Sequence, residues 1–195
     1  MTSDPRDHKA TERARLLALR RAVSPAVRAA EARSLAVAAP AAVARFGVSA
    51  GQTVCAYLAV GSEPGSAVML DGLRTAGYRV LLPVVVGAVP LDWAEYTGAD
   101  ALVPGPHGLR EPSGMRLGAE AIGEAALVLV PALAVDRRGV RLGKGGGHYD
   151  RSLPLSRAPL VAVVRDEEVV DALPAEPHDV RMTAALTPGL GVVLL

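Results

Sequence analysis

The sequence predicts an α/β chain folded as a three-layer α/β/α sandwich around a mostly parallel central sheet. The runs ALVLVP (126–131) and APLVAVV (158–164) are apolar at nearly every position, as expected of strands covered on both faces. Such runs alternate with stretches of helical periodicity, the pattern of strand-helix-strand units. Half of the residues are apolar but only 3% aromatic, so the core must be built from Val, Leu and Ala, and 195 residues suffice for one sizeable core.

Taken in order, residues 7–22 and 25–45 read as two Ala- and Arg-rich helices. Ser24-Pro25 separates them, a residue suited to an N-cap followed by one suited to the first helical position. Leu16, Leu17 and Leu19 are the expected buried positions of the first helix, and Val27, Leu35 and Val43 those of the second. Gly47 and Gly51 precede TVCAYLAV (53–60), read as a strand. GSEPGS (61–66) is a loop, SAVMLDGLRTAG (66–77) a short helix ending at Gly77, and YRVLLPVVV (78–86) a second strand interrupted by Pro83. LDWAEY (91–96) alternates as an edge strand. Thr97 to Gly118 holds five glycines and three prolines and reads as a long irregular loop, a class often used for function. GVVLL closes the chain. One domain spanning 1–195, N-terminal helices included, is the expectation.

The formal charge of +1 sets 21 basic against 20 acidic residues, with no long block of either sign, so neither nucleic acid nor a membrane is expected as a partner. Cys55 is the single cysteine, which excludes an intrachain disulfide and a thiolate metal cluster and suits a small buried hydrophobe. The opening MTSDPRDHKA has no hydrophobic signal core and the apolar runs are too short to span a bilayer, so a cytoplasmic protein is expected. The expected assembly is a monomer or a weak dimer.

RLGKGGGHYDR (141–151) concentrates the chemistry. It fails the Walker A pattern, because the gap from Gly139 to Gly143 is one residue short and Gly145 stands where a hydroxyl belongs. It fails the dinucleotide pattern too, since Gly143-x-Gly145 is followed by His148 where a glycine is required. Consecutive glycines nevertheless let backbone N–H groups converge on an anion, with Lys144, Arg141 and Arg151 around them. A helix beginning near Tyr149 would add its N-terminus. Asp150 is misplaced beside a phosphate unless magnesium lies between them. A solvated surface turn is the competing reading of a bare glycine cluster; the basic residues, Tyr149 and Asp150 favour phosphate. Lys9 and Lys144 are the two lysines of the chain, and one of them sits in this motif.

VPALAVDRRGVRLGKGGGHYDR (130–151), together with YLAVGSE (57–63), Glu111-Pro112, LPAEPHD (173–179) and a basic first helix, resembles the 5-formyltetrahydrofolate cyclo-ligases, or methenyltetrahydrofolate synthetases, over nearly the whole chain. The resemblance implies conversion of 5-formyltetrahydrofolate to 5,10-methenyltetrahydrofolate with ATP and magnesium, releasing ADP and phosphate. It implies that Lys9 and Arg13 contact nucleotide phosphates, an assignment compatible with their sharing one helical face at i and i+4. Arg141, Leu142, Gly143, Lys144, Gly145, Gly146, Gly147, His148 and Tyr149 are similar to the family's ATP loop, with Lys144 to His148 also on the folate side. Leu58 and Glu63 match substrate-binding positions, and Asp150 and Asp179 match magnesium carboxylates. Arg141, Lys144 and Tyr149 are expected to serve the chemistry.

Arg181 is a weaker phosphate candidate, and Trp93 is read as packing rather than a pterin platform. Glu111-Pro112 has no assigned role, and His8, His107 and His178 lack ligand spacing and read as surface residues. Three positions depart from the family pattern: His148 stands where tyrosine is usual, Val135 where phenylalanine often precedes the aspartate, and Asp166-Glu167 where many members carry glutamine. Two other readings stay open on the sequence: a regulatory protein of similar fold that binds a phosphorylated metabolite, and a related ATP-dependent enzyme with a different acceptor.

Overall fold

The computed structural model describes residues 5–177 and 179–195. Helices α1 (Pro5–Ala22) and α2 (Pro25–Arg45) open the chain. The Ser24 hydroxyl accepts a hydrogen bond from the Val27 N–H at 3.3 Å, satisfying one donor that a helix start leaves open. Pro25 follows at the first helical position, where its missing N–H has no cost. Leu16, Leu35 and Val43 are buried as expected, but Leu19 and Val27 are about half exposed. For Leu19 the cause is the phase of α1: its inward stripe runs through Lys9, Arg13, Leu16 and Arg20, so charged side chains occupy places that hydrophobic patterning reserves for leucine.

The remaining elements are β1 (Thr53–Cys55), α3 (Ala67–Thr75), β2 (Arg79–Val84), β3 (Asp92–Glu95), β4 (Leu102–Pro104), β5 (Arg110–Pro112), β6 (Leu127–Pro131), β7 (Ala134–Asp136), β8 (Arg141–Leu142), α4 (His148–Ser152), β9 (Leu160–Val163), β10 (Val169–Val170), β11 (Ala184–Thr187) and β12 (Gly191–Leu194). The central sheet has the order β12-β11-β9-β6-β1-β2-β3. Its inner strands pair in parallel, and only the edges β12 and β3 are antiparallel. In β6, Leu127 and Leu129 join the cluster made with α2 and α3, while Val128 and Val130 join the opposite one. That two-sided burial is why the run is apolar throughout. The opposite layer is built from α4 and from 3-10 turns at 119–124 and 153–155 rather than from long helices.

A small sheet, β10-β7-β8, receives α1: Leu16 packs with Leu133, Val140, Leu142 and Leu173. This contact carries the start of α1 to the glycine-rich segment that follows β8.

Several expectations need correction. TVCAYLAV is a strand only over Thr53–Cys55, after which the chain leaves the ladder toward Glu63. Residues 97–118 contain a β4–β5 hairpin, with Val103 opposite Glu111, whose short strands were hidden among glycines and prolines. ALVLVP, whose sequence suggests a strand leading directly into the glycine segment, is separated from it by the β7–β8 hairpin. β11 was not anticipated, because AALT is short and half alanine, yet it pairs with both β9 and β12. Among the described residues no helix is long and apolar enough to cross a membrane. Cys55 is buried, as expected.

Candidate active site

From β1 the chain proceeds to β2 on one side, whereas β6 pairs on the other, so the winding reverses between β1 and β6. Crevices beyond the carboxyl ends of strands at such a point are where α/β sheets hold ligands. Leu58 and Glu63 lie on the segment leaving β1, Pro131 ends β6 and Ala132 follows it. Two adjoining cavities open there. One of about 180 Å³ is lined by Glu63, Pro131, Ala132, Arg141, residues 143–147, His148, Tyr149 and Asp150. The other, of about 310 Å³, is more apolar, with Leu58, Val60, Leu82, Val85, Leu91 and Leu109 beside Tyr57, Arg110 and Glu111. Glu63, Pro131, Lys144, His148 and Tyr149 line both.

The glycine segment forms much of the first cavity's wall. Gly145 and Gly147 have φ of +99° and +69°, a region that L side chains rarely adopt. Arg13 reaches across from α1, its Nε donating to the Gly143 carbonyl at 3.0 Å. The following helix begins at His148, one residue before the expected start, and is only five residues long.

Three of the expected phosphate-binding cations, Lys144, Arg141 and Lys9, pair with acids, whereas Arg151 donates to the Gly146 carbonyl at 3.3 Å. Lys144 Nζ lies 2.7 Å from Glu63 Oε1, across the wall between the cavities. Arg141 pairs with Asp150, donates to the Pro131 carbonyl at 3.3 Å and lies over the Tyr149 ring at 5.8 Å. Lys9 donates to Glu176 at 2.8 Å and to Asp179 at 3.0 Å. Burial opposes the Lys9 charge, but its hydrogen bonds to Glu176 and Asp179 outweigh that and hold the ammonium above its ordinary pKa. Burial, reinforced by the Glu63 charge, pushes the Tyr149 phenol far above its ordinary value. Among the described residues its buried hydroxyl has no hydrogen-bond partner. A phenol held protonated in this way can donate a hydrogen bond but does not serve as a base in the neutral range.

The structure thus brings together Glu63, Arg141, Gly143 to Tyr149 and Asp150 around the first cavity, and adds Leu58 in the second. Leu142 is different: it lines neither cavity, its side chain is buried with Leu16 and Leu133, and its carbonyl accepts from the Leu133 N–H at 2.7 Å. Asp179 does not line either cavity; its carboxylate is held by Lys9 and by the Glu176 N–H at 2.7 Å. Among the described residues no cluster of three His, Cys, Asp or Glu is close enough to hold a metal by itself. The oxygen donor that fits a hard cation beside phosphates is Asp150, about half exposed on the cavity wall.

Trp93 is fully buried in the core, out of reach of a pterin. Arg181 is exposed and donates to the Arg138 carbonyl at 3.5 Å, away from both cavities. His178 lies outside the described residues. Of the departures, Val135 is core and Asp166 anchors a turn by accepting from the Gly189 and Leu190 N–H groups, whereas His148 lines both cavities. Glu111 is the clearest omission of the sequence reading: it is buried on the wall of the second cavity, its Oε1 accepting from the Val85 N–H at 2.9 Å. The Glu-Pro pair was its only signal.

A mostly parallel α/β sheet with a glycine-lined, cation-rimmed cavity adjoining a more apolar one at its strand ends is the architecture of an α/β protein that binds small ligands there. The 5-formyltetrahydrofolate cyclo-ligase family model matches residues 5–188. A 5-formyltetrahydrofolate cyclo-ligase of Mycolicibacterium smegmatis is 50% identical over 198 residues, 96% of this chain and 97% of its own. One of Escherichia coli is 30% identical over 141 residues, 70% of this chain and 78% of its own. The solved 5,10-methenyltetrahydrofolate synthetase of Aquifex aeolicus has a TM-score of 0.75 at 24% identity, covering 96% of this chain and 92% of that one, a likeness of fold. This chain belongs to the 5-formyltetrahydrofolate cyclo-ligase family.

Proposed function

We propose that the chain cyclises 5-formyltetrahydrofolate to 5,10-methenyltetrahydrofolate, consuming ATP with magnesium and releasing ADP and phosphate. The observation that carries this reading, beyond family membership, is the wall common to both cavities: Glu63, Lys144, His148 and Tyr149 face an anion cradle on one side and an apolar pocket on the other. That juxtaposition suits transfer of a phosphoryl group onto a flat, bound heterocycle.

The N5 formyl carbon is a poor electrophile because the nitrogen lone pair is delocalised into the carbonyl. Attack of the formyl oxygen on the γ-phosphorus forms an O–P bond, breaks the bond to ADP and leaves an imino-phosphate. The N10 lone pair then adds to the formyl carbon, the C–O bond breaks, phosphate departs with that oxygen, and N10 loses its proton. Such chemistry asks the protein chiefly for positioning and charge neutralisation.

In this reading the glycine segment's backbone N–H groups, with Lys144 and Arg141, cradle the transferring group, and Lys9 and Arg13 hold the nucleotide phosphates. Tyr149 donates to the formyl oxygen or to a phosphate oxygen, since its hydroxyl stays protonated and has no partner among the described residues. Glu63 accepts from pterin N–H groups and Leu58 lines the ring pocket. Asp150 would hold magnesium, which neutralises phosphate charge when bound; Asp179, matched to a second metal carboxylate by the family resemblance, lies off both cavities on Lys9.

The test is to mix the pure protein with 5-formyltetrahydrofolate and magnesium-ATP, following the near-ultraviolet absorbance of the methenyl product alongside ADP. One methenyl product per ADP is expected. ADP release without methenyl product would overturn the reading in favour of a different acceptor.

A further inference from the structure

Glu63 serves two cavities at once, yet its loop has little secondary structure to hold it. Residues 57–65 form no strand or helix, and Gly61 and Gly65 both lie at positive φ, 63° and 110°. The side chain is nonetheless only 12% exposed, and both its oxygens are engaged: Oε1 by Lys144 at 2.7 Å and Oε2 by the Val60 N–H at 2.9 Å.

A buried donor stands on either side of it. Arg165 Nη1 donates to the carbonyl of Ser62 at 3.2 Å, and the Tyr57 hydroxyl donates to the carbonyl of Pro64 at 2.6 Å. Both donors are almost wholly buried. The residues immediately before and after Glu63 are therefore each tethered by a side chain fixed in the core. Burial, with the nearby Glu63 charge, drives the Tyr57 phenol well above its ordinary pKa, so it stays a donor through the neutral range.

Arg165 is anchored in turn. Its Nε donates to both oxygens of Glu31 on α2, each at 2.9 Å, and its backbone N–H donates to Glu168 at 2.7 Å. Glu168 also accepts two bonds from Arg20 of α1, both 2.7 Å, and Arg20 Nη2 donates to the Ala132 carbonyl at 2.6 Å. This buried ionic chain touches the Glu63 loop at Ser62 and the first cavity's wall at Ala132. Buried ion pairs add little net stability over apolar packing. Where this chain ends is more telling: it joins the two helices to the two walls of the site.

We propose that Arg165 and Tyr57 are positioning residues that fix Glu63 between the cavities and so set the enzyme's affinity for its pterin substrate rather than for the nucleotide. The inference rests on the folate reading of the second cavity given above. An acid that must meet both a flat heterocycle and Lys144 tolerates little displacement, and supports of this kind hold such a group in place.

The test compares Tyr57→Phe and Arg165→Met with the unaltered full chain, measuring both KM values, kcat and the calorimetric Kd for 5-formyltetrahydrofolate. Tyr57→Phe keeps the ring and removes one hydrogen bond, and should raise the folate KM and Kd about two- to tenfold while the ATP KM stays within about twofold. Arg165→Met should act in the same direction and more strongly. If it does not fold, because the half-buried Glu31 carboxylate loses the Arg165 guanidinium while Glu168 keeps only Arg20, Tyr57→Phe and the charge-balanced Glu31→Gln/Arg165→Met pair decide. KM does not depend on the fraction of folded enzyme, so lost stability cannot imitate the effect. An unchanged folate KM with a lowered Tm, or equal rises in both KM values, overturns the inference alone. Failure of the unaltered protein to bind folate overturns the underlying reading with it.

Discussion

Lys144 with Glu63, Arg141 with Asp150, and Lys9 with Asp179 and Glu176 bring each cation next to an acid that has a different expected ligand. On the proposed function, binding of magnesium-ATP would be an exchange of partners: phosphate oxygens would take the cations, and Asp150 and Glu63 would turn to the metal and the pterin. Asp150 is half exposed, so its pair with Arg141 adds little to stability. Asp150→Ala should therefore lower magnesium-dependent kcat/KM on the order of 10- to 100-fold while shifting Tm by less than about 2 °C. Equal loss of turnover and of folded protein, measured by kinetics and thermal unfolding, would count against Asp150 as the metal carboxylate. The residues nearest the chemistry were legible in the sequence because they crowd into one eleven-residue motif, 141–151. Arg20 and Arg165 were not, since each meets its partner more than a hundred residues away and looks like any other arginine in a chain rich in them. Glu111 and Tyr57 were half legible, present in quoted motifs but with no local sign of what they touch.

Asp136 governs the β7–β8 hairpin that presents Arg141. It is fully buried and accepts from the Arg138, Val140 and Leu173 N–H groups, each at 2.9 Å, and from the Arg138 guanidinium. Burial favours its neutral form, but those hydrogen bonds outweigh burial and hold the carboxyl below its ordinary pKa. A carboxyl depressed in the folded state contributes stability that is fully present above its unfolded value near pH 3.9 and is lost as pH falls through the folded one. Asp136→Asn should thus cost about 1–3 kcal/mol at pH 7 in urea unfolding, and the deficit should shrink below about pH 4. A deficit of equal size at pH 7 and pH 3 would contradict this account. Elements with their own signals were readable: Ser24-Pro25 starts α2, and two-sided apolar runs mark β6 and β9. The β4–β5 and β7–β8 hairpins were not, being two- to three-residue strands whose pairing is set by contacts such as those of Asp136 rather than by periodicity.

At the scale of the molecule, a parallel sheet could be inferred because burial on both faces leaves its mark on every residue of a strand, but strand order leaves no such mark. The order places the reversal between β1 and β6, and that reversal sets the loop carrying Glu63 against the strand end carrying Pro131. Docking of α1 on the small sheet then adds Arg13 at Gly143. The two cavities thus draw on the segments 57–63, 131–132 and 141–150, with Arg13 reaching Gly143 from α1, a spread that only the fold reconciles. On the proposed function, the anion cradle would deliver a phosphoryl group to the formyl oxygen of the substrate in the adjoining pocket, and that oxygen would leave with phosphate. With 5-formyltetrahydrofolate labelled by oxygen-18 in the formyl group, mass spectrometry of the phosphate released in a single turnover should find the label in phosphate, one atom per methenyl product. Label recovered in water, with unlabelled phosphate, would contradict it.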